Sequence, residues 1–215
     1  MRLRLHSYWR ATAPYRVRIG LALKGLAYEY AAVDLLGGEQ GGGRYGALNA
    51  QHLLPTLEAD GLALTQSLAI LEWLEETCPE PPLLPEDPAG RALVRAMAAI
   101  VACDIHPLNN LRVLVALRDL GHPMGGHDQG AWGAGWIEAG FAALEPLVAA
   151  HGRGFAFGET PTLADCCLVP QIWSSSRFHV DLAPFPALSA VYARAAEHPA
   201  FLAAHPERQP DALAR

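Results

Sequence analysis

SYWRATAPYRVRIGLALKGLAYEY, residues 7–30, carries the end of one strand, a turn, a complete helix and the start of a second strand, and its reading decides the fold. Upstream, Leu3 and Leu5 alternate with basic residues, the period-two pattern of a half-buried strand. Tyr15, Ile19, Ala22, Leu23 and Leu26 then recur at helical spacing, with Arg16, Arg18, Gly20 and Lys24 on the opposite side and Gly25 as the stop. Residues 28–35 (YEYAAVDL) read as a second strand, and GGEQGGG (37–43) as a flexible loop. Farther out, LPTLEAD and GLALTQ flank Asp60-Gly61, a two-residue hairpin signal. Ser67 begins a helix, SLAILEWLEETC, that halts before Pro79. The order β-α-β, a connector with room for a short helix, then β-β-α is the thioredoxin-like arrangement.

The composition changes at CPEPPLLPEDP (78–88), which reads as the linker. The expected domains are residues 1–80, a linker over 81–88, and an all-helical domain over 89–215: α/β followed by all-α. Asp87-Pro88 pairs an N-cap with a proline at the first helical position. Leu93, Met97, Ile100, Val101, Ile105, Leu108, Leu111 and Leu114 form one apolar stripe, kinked near Pro107. A further helix carries Trp132, Trp136, Gly140, Leu144 and Val148. Thr162 with Asp165 is a capping box opening LADCCLVPQIW, a run without a polar face and so the expected centre of the second domain. The chain after Pro206 reads as a polar, loose tail.

At 215 residues, 51% apolar and 18% charged, with a mean hydropathy of +0.12, the chain is too hydrophobic for disorder. A net charge of −6 and a pI near 5.8 argue against nucleic acid and anionic membrane as partners. Lys24 is the only lysine; every other basic residue is arginine, which suits planar anions. Arg2, Arg4 and His6 interrupt any signal-peptide pattern, and stretches such as AMAAIVAC (96–103) fall short of a membrane span. Cys78, Cys103, Cys166 and Cys167 show no metal-like spacing, and the adjacent pair reads as helix core rather than a bridge. The expectation is a soluble, reduced, cytoplasmic protein.

A thioredoxin-like domain usually carries its redox cysteines after the first strand. Here Tyr8–Tyr15 holds none, so any sulfur must come with a bound thiol. Three pieces could seat one. Leu54-Pro55, leading the third strand, is either an ordinary trans edge proline or a cis bond that frees backbone groups for an extended peptide. Gln66-Ser67, at a helix start, is either a carboxylate site or a self-capping serine. Thr12, before Pro14, is either an N-cap or the hydroxyl that meets a thiol. A free thiol with a pKa near 8.5 is only about 3% thiolate at pH 7. One charge-assisted hydrogen bond of about 1.5–3 kcal/mol and a helix dipole of about 0.3–2 kcal/mol suffice to lower that pKa by roughly two units.

These residues resemble the zeta class of glutathione transferases, the maleylacetoacetate and maleylpyruvate isomerase family, nearly end to end. Besides residues 7–30, the resemblance rests on LNAQHLLPTL, LTQSLAILEWLEE, VACDIHPLNNLRVL, GETPTLADCCLVPQIWSSSRFHVDL and the closing QPD. It implies the glutathione transferase fold, a thioredoxin-like domain followed by a helical bundle, with glutathione as cofactor, a dicarboxylate-type substrate and a homodimer. It also implies that Thr12, His52, Leu54, Pro55, Gln66 and Ser67 hold glutathione, with Asp104, His106, Asn110 and Arg112 lining the cleft. Arg177 and Arg10 would clamp substrate carboxylate, and His106 would position glutathione or relay a proton. Read alone, Asp104 on the stripe could be a buried structural acid, His106 a residue of the kink, and Arg177 a solvated arginine. The family commonly has Ser-Ser-Cys after the arginine; here the run is Ala11-Thr12-Ala13, leaving Thr12 as its one hydroxyl. A transferase that keeps its conjugate, and a module that binds without catalysis, are the alternatives.

Overall fold

The computed structural model describes residues 1–121 and 127–213, the side chains of 127–129 and 213 excepted. The chain forms two compact units, Met1–Leu83 with Glu197–Arg215, and Leu84–Ala196. The last stretch therefore belongs with the first unit, not with the helical domain expected over 89–215.

The first unit is built on β1 (Leu3–Ser7), β2 (Glu29–Ala32), β3 (Thr56–Ala59) and β4 (Leu62–Thr65), in the order β2-β1-β3-β4. β1 runs parallel to β2 and antiparallel to β3, which is the signature expected from the element order. Asp60 (φ 47°) and Gly61 (φ 93°) turn the β3–β4 hairpin, both left-handed as a two-residue primed turn demands. β2 is shorter than residues 28–35, and the glycine-rich loop contains a 3₁₀ turn over Glu39–Gly41 before α2 (Gly43–Leu48).

Leu3, Leu5, Leu57 and Ala59 project from one sheet face onto Val17 and Leu21 of α1 (Thr12–Leu23) and Ile70 and Leu74 of α3 (Ser67–Thr77). The other side of α1 is buried as well: Arg16 is 2% exposed and Arg18 0%. Its covering is α9 (Pro199–Ala204), whose burial against α1 is not written in the local sequence of either helix. A Cβ on Gly20 would sit 2.3 Å from Leu71 Cδ2, so glycine is what lets α1 and α3 close together.

Lys24 is buried at the end of α1, where Nζ donates to Glu75 Oε2 (2.9 Å), the Cys78 carbonyl (2.6 Å) and the Pro81 carbonyl (3.0 Å). Three acceptors around one point suit an ammonium better than a planar guanidinium, a physical reason for the one lysine. The tail is built in through Leu213: α10 (Pro210–Leu213) follows Gln209, which is 5% exposed and whose amide donates to the Ala203 and His205 carbonyls. The expectation of a loose tail is overturned because its polar groups find partners in the first unit.

In the second unit α4 (Pro88–Ala99) starts on the expected Asp87 cap, whose carboxylate accepts from the Gly90 N–H at 2.7 Å. The helix then widens to a π-helical run over Ile100–Ile105, tightens to 3₁₀ over His106–Asn109, and resumes as α5 (Leu111–Asp119). One 3.6-residue stripe cannot survive those changes of winding. Val94, Met97, Ala98, Val101, Ile105 and Leu114 are buried, whereas Leu111 faces solvent and Leu93 and Leu108 are only partly covered. Pro88–Asp119 is long and apolar enough to span a membrane by length and composition, which short apolar stretches did not register; here α4 packs on α7 (Leu163–Ser175).

α6 (His127–His151) buries Gly133, Ile137, Phe141, Leu144 and Val148; Trp136, expected on that stripe, is 42% exposed. α7 is buried along nearly its whole length, with Cys166 and Cys167 unbridged in the core as expected. α8 (Pro186–Glu197) follows, with Leu188, Val191 and Ala195 inside.

Candidate functional site

Strand register gathers three separate pieces of the sequence at one end of the first unit's sheet. His6 pairs with Thr56, and Thr56 pairs with Thr65. The segment leaving β1, the segment entering β3 and the segment leaving β4 therefore emerge together. They carry Arg10 to Thr12, His52 to Pro55, and Gln66 with Ser67.

Thr12 is the first residue of α1 and 4% exposed, with Ala11 at the N-cap position. A methyl group caps nothing, and the first turn contains no acid, so the helix start keeps its positive dipole. α3 begins the same way. Its N-cap is Gln66, in left-handed backbone (φ 67°), with no side-chain cap and no acid in the first turn. Ser67 is the first helical residue, buried, and its hydroxyl accepts from Arg16 Nη1 at 3.2 Å. The self-capping alternatives for Thr12 and Ser67 do not describe either helix.

Leu54-Pro55 is cis, the second of the two readings open for it. The loop before it is held from α2: the Tyr45 hydroxyl and Asn49 Nδ2 (2.7 Å) both donate to the Leu53 carbonyl. Gln66 is exposed, and its Nε2 donates to Gln51 Oε1 at 2.8 Å; His52 Nδ1 donates to the Gln40 carbonyl at 3.0 Å. Arg10 is exposed in a turn closed by Ala11 N–H on the Tyr8 carbonyl at 3.0 Å.

The second unit holds the remaining candidates. Asp104 is exposed, because it lies in the π-helical run rather than on a continuous stripe; the buried-acid reading fails there. His106 starts the 3₁₀ turn and is partly buried. Asn110 is the N-cap of α5, its Oδ1 accepting from the N–H of Arg112 at 3.2 Å, and the Arg112 side chain is exposed. Arg177, in the 3₁₀ turn after α7, is exposed but oriented: its guanidinium lies 5.1 Å from the Trp173 ring centre and donates to Ser174 Oγ.

Sequence reasoning missed Arg16 and Gln51, which bond Ser67 and Gln66, and Tyr45 and Asn49, which hold the Leu53 carbonyl just before Leu54-Pro55. The pairing of Arg16 with Arg18 beside an otherwise apolar helix was the one available signal.

The glutathione S-transferase N-terminal domain model matches residues 13–77 and the C-terminal domain model residues 130–194. The chain is 50% identical to the maleylpyruvate isomerase of Ralstonia sp over 97% of its own length and 99% of that protein's. A holo structure of maleylpyruvate isomerase, a bacterial glutathione transferase of the zeta class, superimposes with a TM-score of 0.94 at 49% identity, covering 97% of this chain and 99% of that one. The chain belongs to the zeta-class glutathione transferase family. Another member, the maleylacetoacetate isomerase of Anaeromyxobacter dehalogenans 2CP-1, was solved with dicarboxyethyl glutathione and citrate in its active site; it superimposes with a TM-score of 0.88 at 49% identity, over 98% of this chain and 97% of that one.

The family's thioredoxin-like domain and helical domain correspond to the sheet and helix architecture described above. Uncapped α1 and α3 starts, beside Leu54-Pro55, fit an anionic tripeptide: glutathione brings two carboxylates and an ionisable thiol, and helix N-termini favour negative charge.

Proposed function

We propose that this zeta-class protein is a glutathione-dependent cis-trans isomerase, converting maleylpyruvate or maleylacetoacetate to its fumaryl isomer in aromatic-compound breakdown. The observation that supports it most directly is the pair of uncapped helix starts at one sheet end, in a chain half identical to a maleylpyruvate isomerase. Bound glutathione supplies a sulfur nucleophile whose reversible addition makes the maleyl double bond single, so that rotation follows and the cofactor is regenerated.

The chain's own work is to bind and to hold charge. The α1 N-terminus and the Thr12 hydroxyl stabilise the thiolate form, each favouring the anion over the neutral thiol. Ser67, Gln66 and the α3 N-terminus take a glutathione carboxylate, while Leu54 and Pro55 offer backbone groups to the extended peptide and His52 borders them. In the helical domain Asp104, His106, Asn110 and Arg112 complete cofactor binding, His106 positioning glutathione or relaying a proton. Arg10 and Arg177 bind the substrate carboxylate and the negative charge that develops on the neighbouring carbonyl oxygen. The cytoplasm is the expected compartment and a homodimer the expected assembly.

Incubating the protein with glutathione and maleylpyruvate or maleylacetone tests this reading. Loss of the cis isomer with glutathione recovered unchanged supports isomerisation. A stable thioether would instead identify a conjugating transferase, and a rate equal to that of glutathione alone would overturn catalysis.

A further inference from the structure

The C-terminal tail reaches the turn from which α1 starts. Trp9 lies three residues before Thr12, and both of its backbone polar groups are held from outside the turn. Its N–H donates to Asp211 Oδ2 at 2.8 Å, and its carbonyl accepts from Arg18 Nη2 at 3.0 Å. Asp211 is itself fixed, since its other oxygen accepts from the Tyr30 hydroxyl at 2.7 Å, out of β2. Arg18 has every guanidinium nitrogen engaged: Nη1 donates to Ser7 Oγ (3.1 Å) and Nε to the Ala204 carbonyl (3.0 Å) at the end of α9. The tail thus grips the turn through Asp211 and meets the same arginine through Ala204.

We propose that Asp211 is a positioning residue for the reaction, fixing the Trp9–Thr12 turn so that Thr12 and the first N–H groups of α1 face the bound thiol. This rests on the isomerase reading above. A carboxylate is suited to the task because it presents two acceptors to two donors that approach from different directions, one on the turn and one on the sheet. The turn's other backbone bonds run from Ala11 N–H to the Tyr8 carbonyl (3.0 Å) and from Tyr15 N–H, in α1, to the Ala11 carbonyl (3.2 Å). Without Asp211 the Trp9 N–H loses its acceptor, and the anchoring of the turn from outside falls to Arg18 on the Trp9 carbonyl alone. Catalytic geometry is sensitive to displacements of about 1 Å.

The test uses the full-length protein with glutathione and compares Asp211→Ala, Asp211→Asn and Tyr30→Phe with wild type. Each is followed by kcat and KM, by the thiolate absorbance of bound glutathione across pH, and by thermal melting. Asp211→Ala is expected to lower kcat about tenfold or more and to raise the pH at which the bound thiol ionises, while KM for substrate changes little. Asp211→Asn, whose carbonyl can accept from Trp9 while its amide donates to Tyr30, restores most of the rate. Tyr30→Phe falls between them.

Wild-type kcat and an unshifted thiol titration in Asp211→Ala overturn the proposal. If that variant does not fold, Tyr30→Phe with unchanged kcat and titration does so. A wild-type protein that neither binds nor uses glutathione rejects the isomerase reading instead, so the two failures are distinguishable.

Discussion

The helices of this protein begin in two different ways. α4, α5 and α7 start on side chains that satisfy their own first N–H groups: Asp87, Asn110 and the Thr162–Asp165 box. α1 and α3 start on Ala11 and Gln66, with no side-chain cap and no acid in the first turn. Capping is worth about 0.5–2 kcal/mol per helix, so the first unit forgoes that stabilisation at the two places where an anion is expected to bind.

Breaking a cap is expected to have the largest effect. Asp165 is wholly buried and accepts from the N–H groups of Ala156 (2.7 Å) and Thr162 (2.8 Å) and from the Thr162 hydroxyl (2.9 Å). Asp165→Ala leaves those donors buried without an acceptor and should destabilise the protein by about 4 kcal/mol, measured by urea unfolding; a loss below about 1 kcal/mol would show that the box is not what closes this unit.

The same carboxyl sets a pH dependence. Burial pushes Asp165 up to about 6, against the hydrogen bonds from Ala156 and Thr162 that favour its anion. In the unfolded chain it ionises near 4, so the native state binds the proton more tightly and this group's contribution to stability falls as pH rises from about 4 to about 6. Wild type should lose up to about 3 kcal/mol relative to Asp165→Asn across that window; parallel stability profiles would refute it.

At the uncapped starts the expected effects are smaller and fall on chemistry. On the proposed function Thr12→Ala removes one hydrogen bond to a thiolate, worth about 2 kcal/mol, and should raise the bound thiol's pKa by roughly one to two units. Thr12→Ser should restore it, and an unchanged thiolate titration would remove Thr12 from that role. The smallest change sharpens the comparison most. Ala11→Asp gives α1 the cap that α4 has, and should stabilise the fold by about 1 kcal/mol while placing a negative charge beside the proposed seat of the thiolate. Higher melting together with a weaker acid at sulfur is the expected result; activity equal to wild type would mean the α1 N-terminus is not the seat.

Much of the fold was legible because its signals are local. The absence of cysteine between Tyr8 and Tyr15, the Asp60-Gly61 turn and the Thr162–Asp165 box each depend on a few consecutive residues. For Asp104 the buried-acid alternative fails because it projects the stripe at constant winding, whereas a π-helical run turns the residue outward. The polar groups of the tail looked unpartnered because Asp211 finds Trp9 and Tyr30 some two hundred residues earlier in the chain.

Periodicity, turn residues and capping boxes are written in neighbouring residues, so the chain alone determined the element order of the first unit, while the resemblance of its motifs gave the family. Which charges lie inside was settled only by tertiary structure. Arg16, Arg18 and Lys24 look like the polar side of a surface helix, yet α3 and the returning C-terminus bury all three. Burying a cation is tolerable only when acceptors converge on it, and the acceptors here come from chain segments that meet nowhere but in the fold.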